Sequence, residues 1–290
     1  MRKTTGDKVF DLFNIAFMLL LLLIVLYPLY FIVIASFSNP DRINAGEVWI
    51  WVNDYTLKGY HEIFQHERIW TGYRNTIIYM VVGTLINVVI TLTGAYPLSR
   101  SDFYGRKFFM LLIVFTMFFS GGLIPMYLLV KNLGMVNTIW AMILPQAVSA
   151  WNLIIARTFF QNSISNELRE AAAIDGCSNL KFFLQIVIPL SKAITAVMVL
   201  FYGVTHWNSY FQALIYLRNE DLYPLQLVLR DILILSQSMS EMMADQDDYE
   251  SLGETIKYGV IIMASVPMLV LYPFLQKYFV KGVMIGSLKG

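Results

Sequence analysis

Apolar runs long enough to cross a bilayer alternate with short polar stretches along the whole chain. The runs cover about 15–37, 73–98, 108–130, 138–160, 193–217 and 258–279, and each comes near the roughly 20 residues that a spanning helix needs. The pattern predicts an all-α polytopic membrane protein: one transmembrane domain over 1–290 with six transmembrane helices. Arg2, Lys3 and Lys8 precede the first run as in a signal peptide, but the run outlasts a signal peptide's core of about 7–15 residues, so an uncleaved span is expected. Pro28 is expected to kink it. Ser120-Gly121-Gly122 and Pro125 interrupt the third run, where small residues admit a close neighbour or a local unwinding. The brief connection 131–137 makes the fourth span the antiparallel neighbour of the third. Trp49, Trp51 and Trp70 in the polar loop 38–71 suit a membrane interface.

One polar interruption, 161–192, has more internal grammar than the others. Asn166 is placed to cap a short helix, with Glu167 and Glu170 in the first turn, where the helix dipole favours acids. Ala171, Ala172 and Ala173 give a smooth surface for a close approach. Gly176 supplies the left-handed residue that ends the helix. Ser178 or Asn179 restarts it, Cys177 is a small packing residue, and Pro189 marks the entry to the fifth span. The stretch reads as an elbow of two short helices, exposed between two spans.

Composition agrees with the pattern: 57% hydrophobic residues, 14% charged and mean hydropathy +0.59 exclude an ordinary soluble domain. Charge orients it. Arg2, Lys3, Lys8, Arg100, Arg106, Lys107, Arg157, Arg169, Lys181, Lys192, Lys277, Lys281 and Lys289 fall on one side. The smaller set, Arg42, Lys58, Arg68, Arg74, Lys131, Arg218, Arg230 and Lys257, falls on the other. Both termini and the elbow are therefore expected in the cytoplasm. The outer loop 218–257 gathers Glu241, Asp245, Asp247, Asp248, Glu250 and Glu254, without the order or the central glycine of a calcium-binding EF-hand.

Chemistry is sparse. One cysteine and three histidines argue against a metal site, and no basic block points to nucleic acid. HExxH, GxSxG and CxxC patterns are absent, so an enzyme is disfavoured. GxxxxGK[ST] is absent too, so uphill transport would draw its energy from another subunit. His206 is the one ionisable residue well inside a span, against the intramembrane charges that ion-coupled carriers use. Around it, His206, Trp207, Asn208, Tyr210 and Gln212 combine ring faces with hydrogen-bonding groups, as a sugar path requires. Interfacial anchoring and helix–helix hydrogen bonding explain the same residues. Asn87, Gln146 and Asn152 are weaker candidates on the same logic.

The elbow also carries a motif. Glu170-Ala171-Ala172, then Asp175-Gly176, nine residues, Ile186 and Pro189 resemble the EAA loop of binding-protein-dependent ABC importer permeases, with Ile188 where leucine is usual. Lys192-Ala193 stands where many sugar permeases have a second proline nearby, so a smoother entry to the fifth span is expected. The tail from Gln276 to Gly290, with HWNSYFQALIYLRN and LYPLQLVLRDIL, is similar to MalG-type carbohydrate permeases of the LplC/YtcP-like subgroup, to which alginate-importer permeases are related.

The resemblance implies the type I importer permease fold in a bacterial plasma (inner) membrane. It implies a second homologous permease subunit, two ATP-binding subunits that use ATP and Mg, and an extracytoplasmic solute-binding protein. No cofactor is bound by this chain. Glu170, Ala171, Ala172, Asp175, Gly176, Ile186 and Pro189 would form the ATPase-coupling elbow, and Gly286, Lys289 and Gly290 a tail that reaches the ATPases. The outer loop would meet the binding protein. The substrate would be an oligosaccharide, acidic in some members, moved by alternating access. An ABC permease for a peptide or another solute, and a membrane-embedded enzyme, stand as alternatives.

Overall fold

The computed structural model describes residues 4–242, 256–270 and 272–273. Its described residues are helical or irregular, with no strand among them, and they divide into two compact units: the chain up to Glu67 with Leu229–Val266, and Arg68–Val228 with the described residues from Pro267 on.

The first unit is built on α1 (Thr5–Ser36). Thr4 caps it reciprocally, its hydroxyl accepting from the Asp7 N–H while the Asp7 carboxylate accepts from the Thr4 N–H, which satisfies two of the helix's free donors. Pro28 lies inside α1 without ending it, and only Ile34, Ala35 and Ser36 are buried. Beyond it, α2 (Pro40–Asn44) and α3 (Lys58–Gln65) form a small cap. Arg42 joins Glu47 and Asp54 at 2.8 and 2.9 Å. Phe37 stacks on Tyr55 and Tyr60, and the Tyr27 and Tyr30 hydroxyls donate to the carbonyls of Trp49 and Ile50. Trp49 and Trp51 are exposed, as interfacial anchors would be. The sixth apolar run is helical over Ile256–Val270, and its remainder beyond Pro273 lies outside the described residues.

The second unit is organised on α4 (Glu67–Ser99), whose buried side carries Asn75, Thr76, Tyr79, Gly83, Thr84, Asn87 and Thr91 at helical spacing. These groups are used. Asn75 donates to the carbonyls of Asp221 and Tyr223, and the Tyr79 hydroxyl donates to that of Leu222. Thr76 accepts from the Leu225 N–H, and Asn87 donates to the Gln146 carbonyl at 2.6 Å. Thr91 pairs with the Tyr202 hydroxyl, which accepts from the Ser149 N–H. Backbone groups set free by breaks in neighbouring helices thus find partners on α4, the condition for irregular backbone at membrane depth.

Those breaks revise the six straight spans. The third run is two helices, α5 (Arg106–Phe118) and α6 (Leu123–Asn132), bent by 115° about Gly122, at φ 87°. The fourth is split into α7 (Trp140–Ile143), a 3-10 turn at Leu144–Gln146 and α8 (Ala150–Ser163), because Pro145 has no N–H to continue a helix. The fifth begins with an 80° bend at Ser191 rather than smoothly. Pro189 supplies the reason: its ring clashes with the carbonyl four residues back, and the chain relaxes through a π-helical turn at Phe183–Val187. Of the described helices, α1 and α4 are long and apolar enough to cross a membrane, or four segments if each bent pair is one span.

Candidate functional site

The elbow folds by local rules. Its first helix is α9 (Asn166–Ile174). The cap is Ser165, whose hydroxyl accepts from the Leu168 N–H, and not Asn166, which is the first helical residue. Both types cap well, and the extended backbone of Ser165 decides. At the other end Cys177 N–H donates to the Ala172 carbonyl and Gly176 N–H to that of Ala173. With Gly176 at φ 74°, this is a Schellman motif, closed by contact between positions 172 and 177. Ser178 then caps α10 (Asn179–Phe182), and the π-helical turn and α11 (Ile188–Leu190) complete the second arm.

The two faces of α9 differ. Glu167, Glu170, Ala171 and Ile174 are exposed, Ile174 at 87%, and their spacing puts them on one side of the helix. Arg169 and Ala172 turn inward. Ala172, Cys177, Ile186 and Ile188 pack on a core shared by Leu92, Tyr96, Phe182, Phe183 and Val187. Asp175 is exposed at the turn, and Pro189 is exposed before the bend.

Polar contacts hold the inward face. Arg100 and Asp102 make a two-pronged pair at 2.6 and 3.0 Å. Arg169 Nη1 donates to Asp102 Oδ1 at 2.6 Å, and Arg100 Nη1 to Asn179 Oδ1 at 2.6 Å. Hydrogen bonds from Arg100 and then Arg169 hold the Asp102 carboxyl well below the usual carboxylate range. The group therefore stays charged at any physiological pH. The bonds among these four residues went unread in the sequence, where Arg100 and Arg169 counted toward orientation and Asn179 toward the helix restart; the one available signal was a lone acid among Arg100, Arg106 and Lys107.

On α12 (Lys192–Trp207) and the stretch after it, the candidate path residues separate. His206 and Trp207 are buried, and His206 Nε2 bonds Asn87 Oδ1 at 2.7 Å. Asn208 donates back to the Val204 carbonyl, and Tyr210 is exposed. Gln212, on α13 (Phe211–Tyr216), lines a cavity of about 510 Å³ with Gly121, Gly122, Met126, Gln146 and Phe211. Its wall is mostly apolar, with Leu123, Met126, Leu129 and Ile215 beside the rings of Phe211 and Tyr216, and carries two amides and no charged side chain. Such a surface suits an uncharged polyol face. Gly286, Lys289 and Gly290, and the acidic stretch 243–254, lie outside the described residues. Among the described residues no group of His, Cys, Asp or Glu is placed to hold a metal ion.

No family model matches the chain. Relatives do. The polygalacturonan/rhamnogalacturonan transport system permease protein YtcP of Bacillus subtilis (strain 168) is 40% identical over 285 residues, 98% of this chain and 99% of that protein. Protein LplC of the same organism is 40% identical over 290 residues, 100% of this chain and 98% of its own length. Among solved structures, a chain of a bacterial ABC transporter involved in the import of the acidic polysaccharide alginate superposes with a TM-score of 0.87. It is 30% identical and covers 96% of this chain and 99% of its own. The helical architecture and this likeness over nearly the full length lead to one assignment: the chain belongs to the family of sugar ABC importer permeases and is a membrane-embedded transport subunit of that kind.

Proposed function

We propose that this chain forms half of the translocation path of a binding-protein-dependent importer for oligosaccharides, and that the elbow 165–190 is where ATPase subunits drive it. One observation carries the reading. Glu170, Ala171 and Ile174 form an exposed stripe on a helix whose other face is packed and bonded to its own chain. An isoleucine 87% exposed beside two acids suits a cleft in a partner better than water or lipid.

The partners in this reading are a second, homologous permease, two ATP-binding subunits that hold ATP and Mg, and an extracytoplasmic binding protein. Broken segments complete six spans, with the termini and the elbow cytoplasmic in the bacterial plasma membrane, as the Lys and Arg distribution supports. The cavity at Gln146 and Gln212 receives sugar as the halves rock between inward-open and outward-open states. A relative that transports polygalacturonan and a neighbour that imports acidic alginate support an acidic oligosaccharide. Because the cavity wall carries no charged side chain, an acid group would in this reading be recognised elsewhere.

The test is the assembled complex in proteoliposomes. Glu170→Arg is expected to abolish uptake and sugar-stimulated ATP hydrolysis while all subunits still co-purify; normal stimulation would sink the docking assignment. Comparing stimulation by neutral and uronate oligosaccharides settles the substrate class.

A further inference from the structure

The elbow's covalent connections are weak levers. It joins α8 through Ile164 and Ser165, both extended, and α12 through Ser191, which is not helical. A body held at two such joints can tilt about the line between them. Beyond these joints and the core packing of Ala172, Cys177, Ile186 and Ile188, a polar attachment exists, and it lies in neither connection. The short segment Arg100–Asp102 follows directly on the end of α4 at Ser99 and bonds both arms of the elbow: Arg169 on α9 and Asn179 at the start of α10. The two anchor points flank the Gly176 turn. Arg106 Nη1 donates to the Arg100 carbonyl at 3.2 Å and steadies the segment from the α5 side. The Arg100 guanidinium lies 5.8 Å from the Tyr96 ring centroid, and Tyr96 packs on Phe183 of the second arm.

We infer that Asp102, with Arg100, is a coupling latch: a positioning pair that makes the elbow and the foot of α4 move as one body. The inference rests on the reading of the elbow as the docked element. The side chains of Asp102, Arg100 and Arg169 are 47%, 19% and 20% exposed, and a two-pronged pair inside a charge network is the arrangement in which an ion pair near the surface does contribute to stability. It also supplies geometry, because a forked guanidinium fixes direction as well as distance. From the latch, α4 runs to Asn87, which holds the Gln146 carbonyl, and Gln146 lines the cavity. A bonded path therefore leads from the elbow to the cavity wall through one rigid helix.

The experiment measures sugar imported per ATP hydrolysed by the full complex in proteoliposomes. Arg169→Gln with Asn179→Ala removes the elbow side of the latch and leaves the Arg100–Asp102 pair in place. Hydrolysis stimulated by loaded binding protein is expected to persist, while import per ATP falls by at least about fivefold, the lower end of ordinary coupling energies. Arg169→Lys, which keeps the charge, is expected to recover most of that loss. Should the double variant not assemble, Asp102→Asn, which keeps the side chain's shape, serves with the same expectation. An unchanged ratio in an assembled variant overturns the latch. Glu170→Arg separates the two ideas: lost stimulation there with an unchanged ratio here removes the latch alone, whereas normal stimulation there removes the docking on which it stands.

Discussion

α1 and α4 have nearly the same length, 32 and 33 residues, and opposite relations to the rest of the protein. In its most apolar stretch α1 has mean hydropathy 2.9 and is 6% buried; the corresponding values for α4 are 2.0 and 39%. The oilier helix is the less buried one. In water that order would be perverse, but hydrocarbon solvates leucine as well as another helix does. Apolarity therefore qualifies a helix for lipid, and polar side chains at helical spacing mark the face that meets protein. α4 displays such a face from Asn75 to Thr91, whereas α1 bonds other segments only toward its C-terminal end, through Tyr27, Tyr30 and Ser36.

The comparison can be broken at its tightest point. A Cβ at Gly83 would sit 2.4 Å from His206 Nε2, and that ring is held by Asn87. Gly83→Val is expected to cost about 3 kcal/mol or more and to remove most monodisperse protein from detergent extracts; wild-type yield and melting temperature would refute the packing. Asn87→Leu is expected to cost about 1–3 kcal/mol by leaving the Gln146 carbonyl and His206 Nε2 without their partner, read as a lower melting temperature. Leu22→Ala, on the exposed side of α1, is expected to stay within about 0.5 kcal/mol, since lipid replaces the lost contact. A larger loss from Leu22→Ala than from Asn87→Leu would reverse the lesson and mean that α1 is covered by another protein.

The sequence made some of this legible. The first two spans were readable because nothing interrupts them, and the break in the third run was marked by Ser120-Gly121-Gly122. The break at Pro145 was marked by the proline alone: the apolar run Trp140–Leu144 before it reads as part of one span, and hydropathy does not register a lost N–H. The Gly176 turn was legible because only a residue tolerant of positive φ closes that motif. The cap at Ser165 was misplaced by one residue, an ordinary error between two good cappers. His206 read as glue or as sugar contact, and its partner 119 positions away could not be located by spacing. Arg100, Asp102, Arg169 and Asn179 were illegible for the same reason. Loop residues 67 and 79 positions from their partners announce no pairing.

The same distances have a consequence for biogenesis. Asn75 and Thr76 find their acceptor and donor 146 to 149 residues later in the chain. At about 5–20 residues per second of synthesis, α4 waits roughly 7–30 s in the membrane with Asn75 and Thr76 unmatched. During that interval it is an open strip of hydrogen-bonding groups in hydrocarbon, the kind of segment an insertion machinery must shelter. α1 finds its hydrogen-bond partners at Trp49, Ile50 and Tyr60, 20 to 24 residues on, a wait of about 1–5 s at the same rate.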